Sequence, residues 1–461
     1  MGKKCIAPAH NFRLIQQYSK PIIAIFTITI VILSIFVASF FAFGNFVTTQ
    51  LAVQQSLPQT TSEPSPSTNI QTNQTASTAP TTIPTTTPKP TPKTTNTPQS
   101  TGTTTLSQGS NDEEVYSVVQ SSDGSNALAG YTKSYGSGGS DMFLVKTEPR
   151  VMSGLPNNPT MNAVIWAKTY GGIQDDGAKS LVLSSDGGYL LAGYTKSLGA
   201  GGSDMFLLKT DANGNAQWNM TYGGSQDDGA NSLVQANDGG YVLAGYSNSN
   251  LDSQSTWIVK VDVSGNLQWN TVCGGKGATS ISKTNDGGYV ISVDQPNAYG
   301  IIKIDSEGQI QWSQTYPVSS YNARAQSTIQ TSDGGYAIAG WVIDQAGNNS
   351  TWLLKTDSAG VLQWSQTYAG LGAYCIIQTA RGGYAMTGDR AFLLVTDSAG
   401  NVLWNRNYDA LSDPSMAFTR GYALIQPSAD YFVIAMVQAS YGQIPRGLQI
   451  YVVSITISLP P

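Results

Sequence analysis

From Leu106 onward, short runs of alternating apolar and polar residues are cut by Gly, Asp and Asn, and no segment keeps a helical period. One stretch shows the rule. Ala178 to Ser184, Tyr189 to Thr195, Met205 to Thr210 and Ala216 to Tyr222 are predicted strands, joined by tight turns at "DGG" and "DANG". The text then repeats: "YGGIQDDGAKSLVLSSDGGYLLAGYT" at 170–195 returns as "YGGSQDDGANSLVQANDGGYVLAGYS" at 222–247. Its marker is "DGGY", at Asp186, Asp238, Asp286 and Asp333. The marker opens as "DGSN" at Asp123 and decays to "RGGY" at Arg381 and "ADYF" around Asp430. After a first interval that carries the insertion "EPRVMSGLPNNPT", the spacing is 47 to 52 residues. A fixed period of this length means units stacked in a row or around a ring.

Four strands per unit, arranged radially, predict an all-β fold: a seven-bladed β-propeller. A parallel β-helix has shorter rungs and lacks such hairpin turns. Trp166, Trp218, Trp269, Trp312, Trp364 and Trp404 recur in the fourth strand, as expected if each sheet packs on its neighbour. The last unit offers only three strands, Gly421–Gln426, Tyr431–Val437 and Leu448–Ser454. "TTTLSQGSNDEEVYSVVQ" aligns with "NMTYGGSQDDGANSLVQ", so Thr103 to Ser107 is expected to supply the missing strand and close the ring.

The region before the repeats has a different pattern. Ile22 to Phe43 contains no charged residue and is long enough to cross a bilayer as a helix. Lys3, Lys4, Arg13 and Lys20 precede it, so the N-terminus is expected in the cytoplasm and the remainder outside. The length and the ending "SFFAFGNF" favour a retained anchor over a cleaved signal peptide. Residues 44–105 are dominated by Thr, Ser and Pro and are expected to be an unfolded stalk. The expected domains are thus a tail (1–20), a transmembrane anchor (21–43), a stalk (44–105) and the propeller (106–461), at the cell membrane with the C-terminal domain extracellular.

The repeats, "DGGY..AGYT" followed by "D.FLLKTD..GN.QWN.TYGG", resemble those of archaeal and bacterial surface-exposed propeller proteins. A more distant likeness is to WD-repeat and pyrroloquinoline-quinone-type propellers. The resemblance spans about residues 106 to 456 and implies architecture; it is nearly silent about activity.

Composition narrows the function classes. Only 11% of the residues are charged. Six of the 24 basic but one of the 29 acidic residues precede position 106, so the rest carries a net charge of −10. Such a body repels nucleic acid, and no nucleic-acid partner is expected. The single histidine is His10, which falls on the expected cytoplasmic side, and no phosphate-binding glycine motif opens a helix. An enzyme is therefore not expected. The reading is a binding or cell-envelope module whose extracellular protein or glycan partner the sequence does not name. A carbohydrate- or Ca²⁺-binding module is the alternative, and an oxidoreductase or hydrolase the third.

Candidate chemistry is acidic. Asp112, Glu113 and Glu114, then Asp175 and Asp176, then Asp227 and Asp228 occupy successive inter-blade links, and Asp141 and Asp204 end the "GGSD" loops. No cofactor is expected, Ca²⁺ being the one ion this set would suit. The rival role is structural, with one Asp of each pair bonding backbone amides or Ser180 and Ser232. Lys146, Lys209, Lys260, Lys303 and Lys355 are expected to form a solvated rim, paired with the aspartate two residues on. Tyr135, Tyr299, Tyr321 and Tyr374 are read as exposed loop aromatics, and Asn73, Asn219, Asn348 and Asn349 begin glycosylation sequons. A Cys273–Cys375 bridge and two free thiols are both open.

Overall fold

The computed structural model describes residues 113–148, 164–250, 254–295, 298–318, 322–408, 416–440 and 448–457. The expected anchor, the stalk, the closing strand Thr103–Ser107, Asp112, Tyr321 and Asn73 lie outside these residues. Every described element is a strand, and among the described residues no helix is long and apolar enough to cross a membrane.

The strands form seven antiparallel sheets, six of four strands and one of three, each in sequence order. Their first strands are Glu113–Gln120, Asp176–Leu183, Asp228–Gln235, Ala278–Lys283, Asn322–Gln330, Ala373–Gln378 and Met416–Ser428. Each first strand touches the next, and that of blade seven touches that of blade one, so these strands ring a central axis. The three-stranded sheet is blade seven, completed here by Tyr431–Ser440 and Leu448–Thr456. The chain is a seven-bladed β-propeller.

The apolar cores lie between blades. Val115 and Val118 of blade one pack with Ala435 and Val437 of blade seven. Leu190 and Leu207 of blade two pack with Ala230 and Leu243 of blade three, and the remaining interfaces follow suit. Second strands sandwiched in this way are apolar at almost every position, as in "YLLAGYT", because both faces are covered.

Three repeated clasps connect successive sheets. The fourth-strand tryptophans sit on the next blade's "DxxG" turn, where a Cβ on Gly214 would lie 2.8 Å from the Trp166 ring and one on Gly360 2.8 Å from the Trp312 ring. Beside them, the Tyr170, Tyr222, Tyr316 and Tyr368 hydroxyls donate to the carbonyls of Gly214, Gly265, Gly360 and Gly400 at 2.5–2.6 Å. Near the axis, Ser117, Ser180 and Ser232 Oγ accept the backbone N–H of Leu181, Leu233 and Ile281 in the following blade, at 3.1–3.2 Å. Ser180 and Ser232 therefore pin blade to blade instead of bonding the link aspartates, because a first-strand serine faces the adjoining sheet.

The "DGGY" marker has a physical explanation that corrects the expected lysine rim. Lys209, Lys260, Lys303 and Lys355 are buried, and their ammonium groups meet Asp186, Asp238, Asp286 and Asp333 of the marker at 2.7–2.8 Å. Lys146 makes the same pair with Asp123. Lys260 Nζ also donates to Val261 O at 3.1 Å and to Gln268 Oε1, giving the cation three acceptors away from water. The second glycine leaves the room, since a Cβ on Gly188 would fall 2.6 Å from Lys209 Nζ and 2.1 Å from Thr210 O. The first glycine takes the turn, with Gly187 at φ +80°. The aspartate two residues after the lysine instead caps its own hairpin, as Asp211 Oδ1 accepts Asn213 N at 2.9 Å and Asn215 N at 2.8 Å.

Tyr299 is likewise not a loop aromatic. It is fully buried in the third strand of blade four, and its hydroxyl donates to Trp352 O at 3.3 Å. Cys273 and Cys375 are free thiols.

Replacing Asp238 by Asn leaves the Lys260 ammonium buried without its anion. The expected cost is about 1–3 kcal/mol, below that of a fully buried pair because Asp238 is half-exposed. In denaturant unfolding, the Asp238→Asn/Lys260→Met double variant should be more stable than Asp238→Asn alone.

Candidate functional site

The antiparallel meander puts the "DGG" and "DxxG" turns on one face and the inter-blade links and longer loops on the other. The link face carries the acidic residues, and they meet in pairs. Asp175 Oδ1 accepts Ser140 N at 3.1 Å, and Asp227 Oδ1 accepts Ser203 N at 2.8 Å, each reaching into the preceding blade's "GGSD" loop. Asp176 and Asp228 are buried. They accept Gly172 N and Gly224 N, both at 2.8 Å, together with the Ser197 and Ser249 hydroxyls. Asp141 Oδ2 takes Ser137 N at 2.7 Å, and Asp204 Oδ2 takes Ala200 N at 2.6 Å. Glu113 is buried against the Thr132 hydroxyl, and Glu114 accepts the Tyr116 hydroxyl. Among the described residues no group of three or more acidic, His or Cys side chains is placed to hold a metal ion.

Two of these carboxyls are pushed up, while the Ser140 amide and Lys196 hold Asp175 below the ordinary aspartate range. Burial, with Asp228 beside it, pushes Asp204 up to about 6, against the lowering effect of the Ala200 amide. Burial and Asp176 do the same to Asp141, also to about 6. The glycine between each pair explains "YGG": a Cβ on Gly223 would lie 1.9 Å from Asp204 Oδ1 and 2.8 Å from Asp228 Oδ2.

The axis holds a second constellation that sequence reasoning missed, apart from Tyr374, which is a half-buried strand residue and not the exposed loop aromatic expected. Every first strand carries a register shift at the same place, and the bulged residues are Tyr116, Lys179, Asn231, Thr279, Gln326, Tyr374 and Tyr422. All are half-buried, in the half of the strand nearer the link face. The signal was a single column. In "AKSL", "ANSL", "ATSI", "AQST" and "AYCI" the flanking residues are small or apolar and nearly constant, while the second letter changes each time.

These side chains form an asymmetric arc. The Tyr374 and Tyr422 rings stack at 5.4 Å with an 18° interplanar angle, and Tyr422 meets Tyr116 at 5.1 Å. Lys179 Nζ lies 3.5 Å from the centre of the Tyr116 ring. Burial lowers the Lys179 pKa to about 8, against the opposing pull of Glu114. The Tyr374 hydroxyl donates to Asp389 Oδ1 at 2.6 Å, and Arg420 donates to the Tyr422 hydroxyl at 3.4 Å. Blades three to five complete the circle with Asn231, Thr279 and Gln326, an amide–hydroxyl wall.

Of the sequon asparagines, Asn348 is exposed, with Nδ2 on Asp344 at 2.9 Å. Asn349 donates to Asp389 at 2.8 Å, and Asn219 is half-buried in a fourth strand.

No protein family and no curated protein matches the chain. Solved structures similar to it include the WD40 β-propeller domain of Doa1, at 13% identity over 78% of this chain and 97% of that one, TM-score 0.42. A catalytically inactive virginiamycin B lyase from Staphylococcus aureus follows at 10% identity, 59% and 83% coverage and TM-score 0.38. U3-55K matches at 10% identity, 61% and 82% coverage and TM-score 0.40. They include both an enzyme and non-enzymes, and likeness at this level says nothing about what this chain binds.

Between about pH 4 and 6 the native state holds the Asp204 proton more tightly than the unfolded chain does, so this group adds stability as pH falls from 7 towards 5. Carboxyl NMR should place Asp204 near 6. Asp228→Asn should lower that value while leaving it above an ordinary aspartate, because burial is the larger cause.

Proposed function

We propose that this chain is a membrane-anchored cell-surface binding module, not an enzyme, that presents the link face and axis of its propeller to an extracellular partner. Support for the anchor and outward orientation comes from the uncharged run Ile22 to Phe43, its basic N-terminal flank and the Thr/Ser/Pro stretch behind it. One observation carries the binding role. The blades repeat their frame nearly residue for residue, yet the axial bulge holds Tyr, Lys, Asn, Thr or Gln according to blade. A purely architectural wheel has no need of that asymmetry, whereas a recognition site does. The link aspartates have a structural part in this reading, since Asp175, Asp176, Asp227 and Asp228 each accept a backbone amide.

Epitope tags in the "KSYGSGGSD" and "DQAGNNS" loops should be labelled on intact cells. Labelling only after permeabilisation would reverse the orientation. Full-length protein in lipid nanodiscs should retain a component of the envelope extract. The Tyr374→Ala/Tyr422→Ala variant should lose it, and the control Gln217→Ala, on an exposed outer-strand residue, should not. Equal retention by all three proteins would remove the axis from the binding role.

A further inference from the structure

The axial arc combines four features that together specify a ligand class. It has an aromatic wall, the Tyr374 and Tyr422 rings stacked on each other with Tyr116 at their side. It has four charges that cancel: Lys179 and Arg420 against Glu114 and Asp389. Glu114 and Asp389 accept tyrosine hydroxyls, and Arg420 donates to one. Across the axis from blade two stands an amide, Gln326 of blade five. Finally, two polar groups are free: among the described residues, neither Lys179 Nζ nor the Gln326 amide has a hydrogen-bond or ion-pair partner, although both are half-buried.

A half-buried ammonium that rests on one aromatic face and has no hydrogen-bond partner keeps donors for an acceptor that the protein does not contribute. An anion would meet Lys179 but also Glu114 close by, and a cation would meet the reverse. A neutral ligand with one apolar face and a polar edge satisfies both walls. An aromatic ring would use the tyrosines and leave Lys179, Gln326 and the Asn231 carbonyl oxygen without partners, which is costly. A sugar ring carries axial C–H groups on one face and hydroxyls that both donate and accept around its rim.

We infer that the axis is a saccharide site for a neutral pyranose, its C–H face against the tyrosine wall and its hydroxyls on Lys179, Asn231 and Gln326. This rests on the reading of the axis as a binding surface and names the ligand class for it. Asn231 Nδ2 already donates to Ala278 O at 2.8 Å, so its carbonyl oxygen is the part offered to a hydroxyl. Glu114 and Arg420 are partners of the Tyr116 and Tyr422 hydroxyls and hold those rings in place.

The test is saturation-transfer NMR on full-length protein in phosphatidylcholine nanodiscs, free of sugar-headed detergent. The probes are the methyl glycosides of glucose, galactose, mannose and N-acetylglucosamine, with glucuronate and benzoate as comparisons. At least one neutral glycoside should give signal from the ring C–H face. Tyr422→Phe should keep it and Tyr422→Ala should lose it, with unchanged thermal midpoints showing that both variants are folded. Lys179→Met should weaken it about tenfold, the worth of one charge-assisted hydrogen bond. The inference is overturned if no neutral glycoside binds, if Tyr422→Ala binds as well as the native protein, or if glucuronate or benzoate is preferred. If the sugars fail while the Tyr374→Ala/Tyr422→Ala variant still loses its envelope component, the saccharide assignment falls and the binding module stands.

Discussion

A sheet with two apolar faces cannot stop at one neighbour. Each middle strand in this protein, such as "YVLAGYS" of blade three, is buried on both sides, and the apolar clusters lie between sheets instead of inside any one of them. Sheet twist then turns a row of such blades until the last covers the first. Val115 and Val118 against Ala435 and Val437 are where that condition is met. The axis and both faces follow from it, because closure brings seven first strands into one ring.

Much of the frame was legible because each device recurs with the period. Turn glycines, the fourth-strand tryptophans and the strand alternation could be compared with themselves several times over. The lysines were misread for an instructive reason. Lys209 sits in a strand of otherwise apolar residues, "DMFLLKT", where alternation counts a charged residue as outward-facing. Its partner Asp186 lies in a different hairpin turn, 23 residues earlier, and the distance to Asp211 in the sequence is no guide to distance in space. Tyr299 was misjudged similarly, because "NAYG" reads as a loop although it begins a strand.

The axial site was hidden by its own geometry. A bulge inserts one residue without changing the repeat length when every blade carries it, so the alternation looks merely blurred. The departure from repetition at Tyr116, Lys179 and Gln326 was visible only once the strands were known to share an axis. The acidic links show the reverse. Asp175, Asp176, Asp227 and Asp228 attract notice in the sequence, yet in space Asp175 and Asp227 tie the preceding blade's Gly-rich loop while Asp176 and Asp228 hold the glycines of their own links. Loops with few side chains have few other means of being held.

The tyrosine and serine clasps between blades bear on how the wheel survives damage. Protease attack on an exposed connection, such as that around Ile173, would sever the chain while leaving both new ends gripped by intact neighbours. A nicked molecule would therefore migrate whole in a native gel and come apart only in denaturing solvent. Resistance to falling apart after proteolysis is thus inherent in the arrangement, and among the described residues it needs no disulfide.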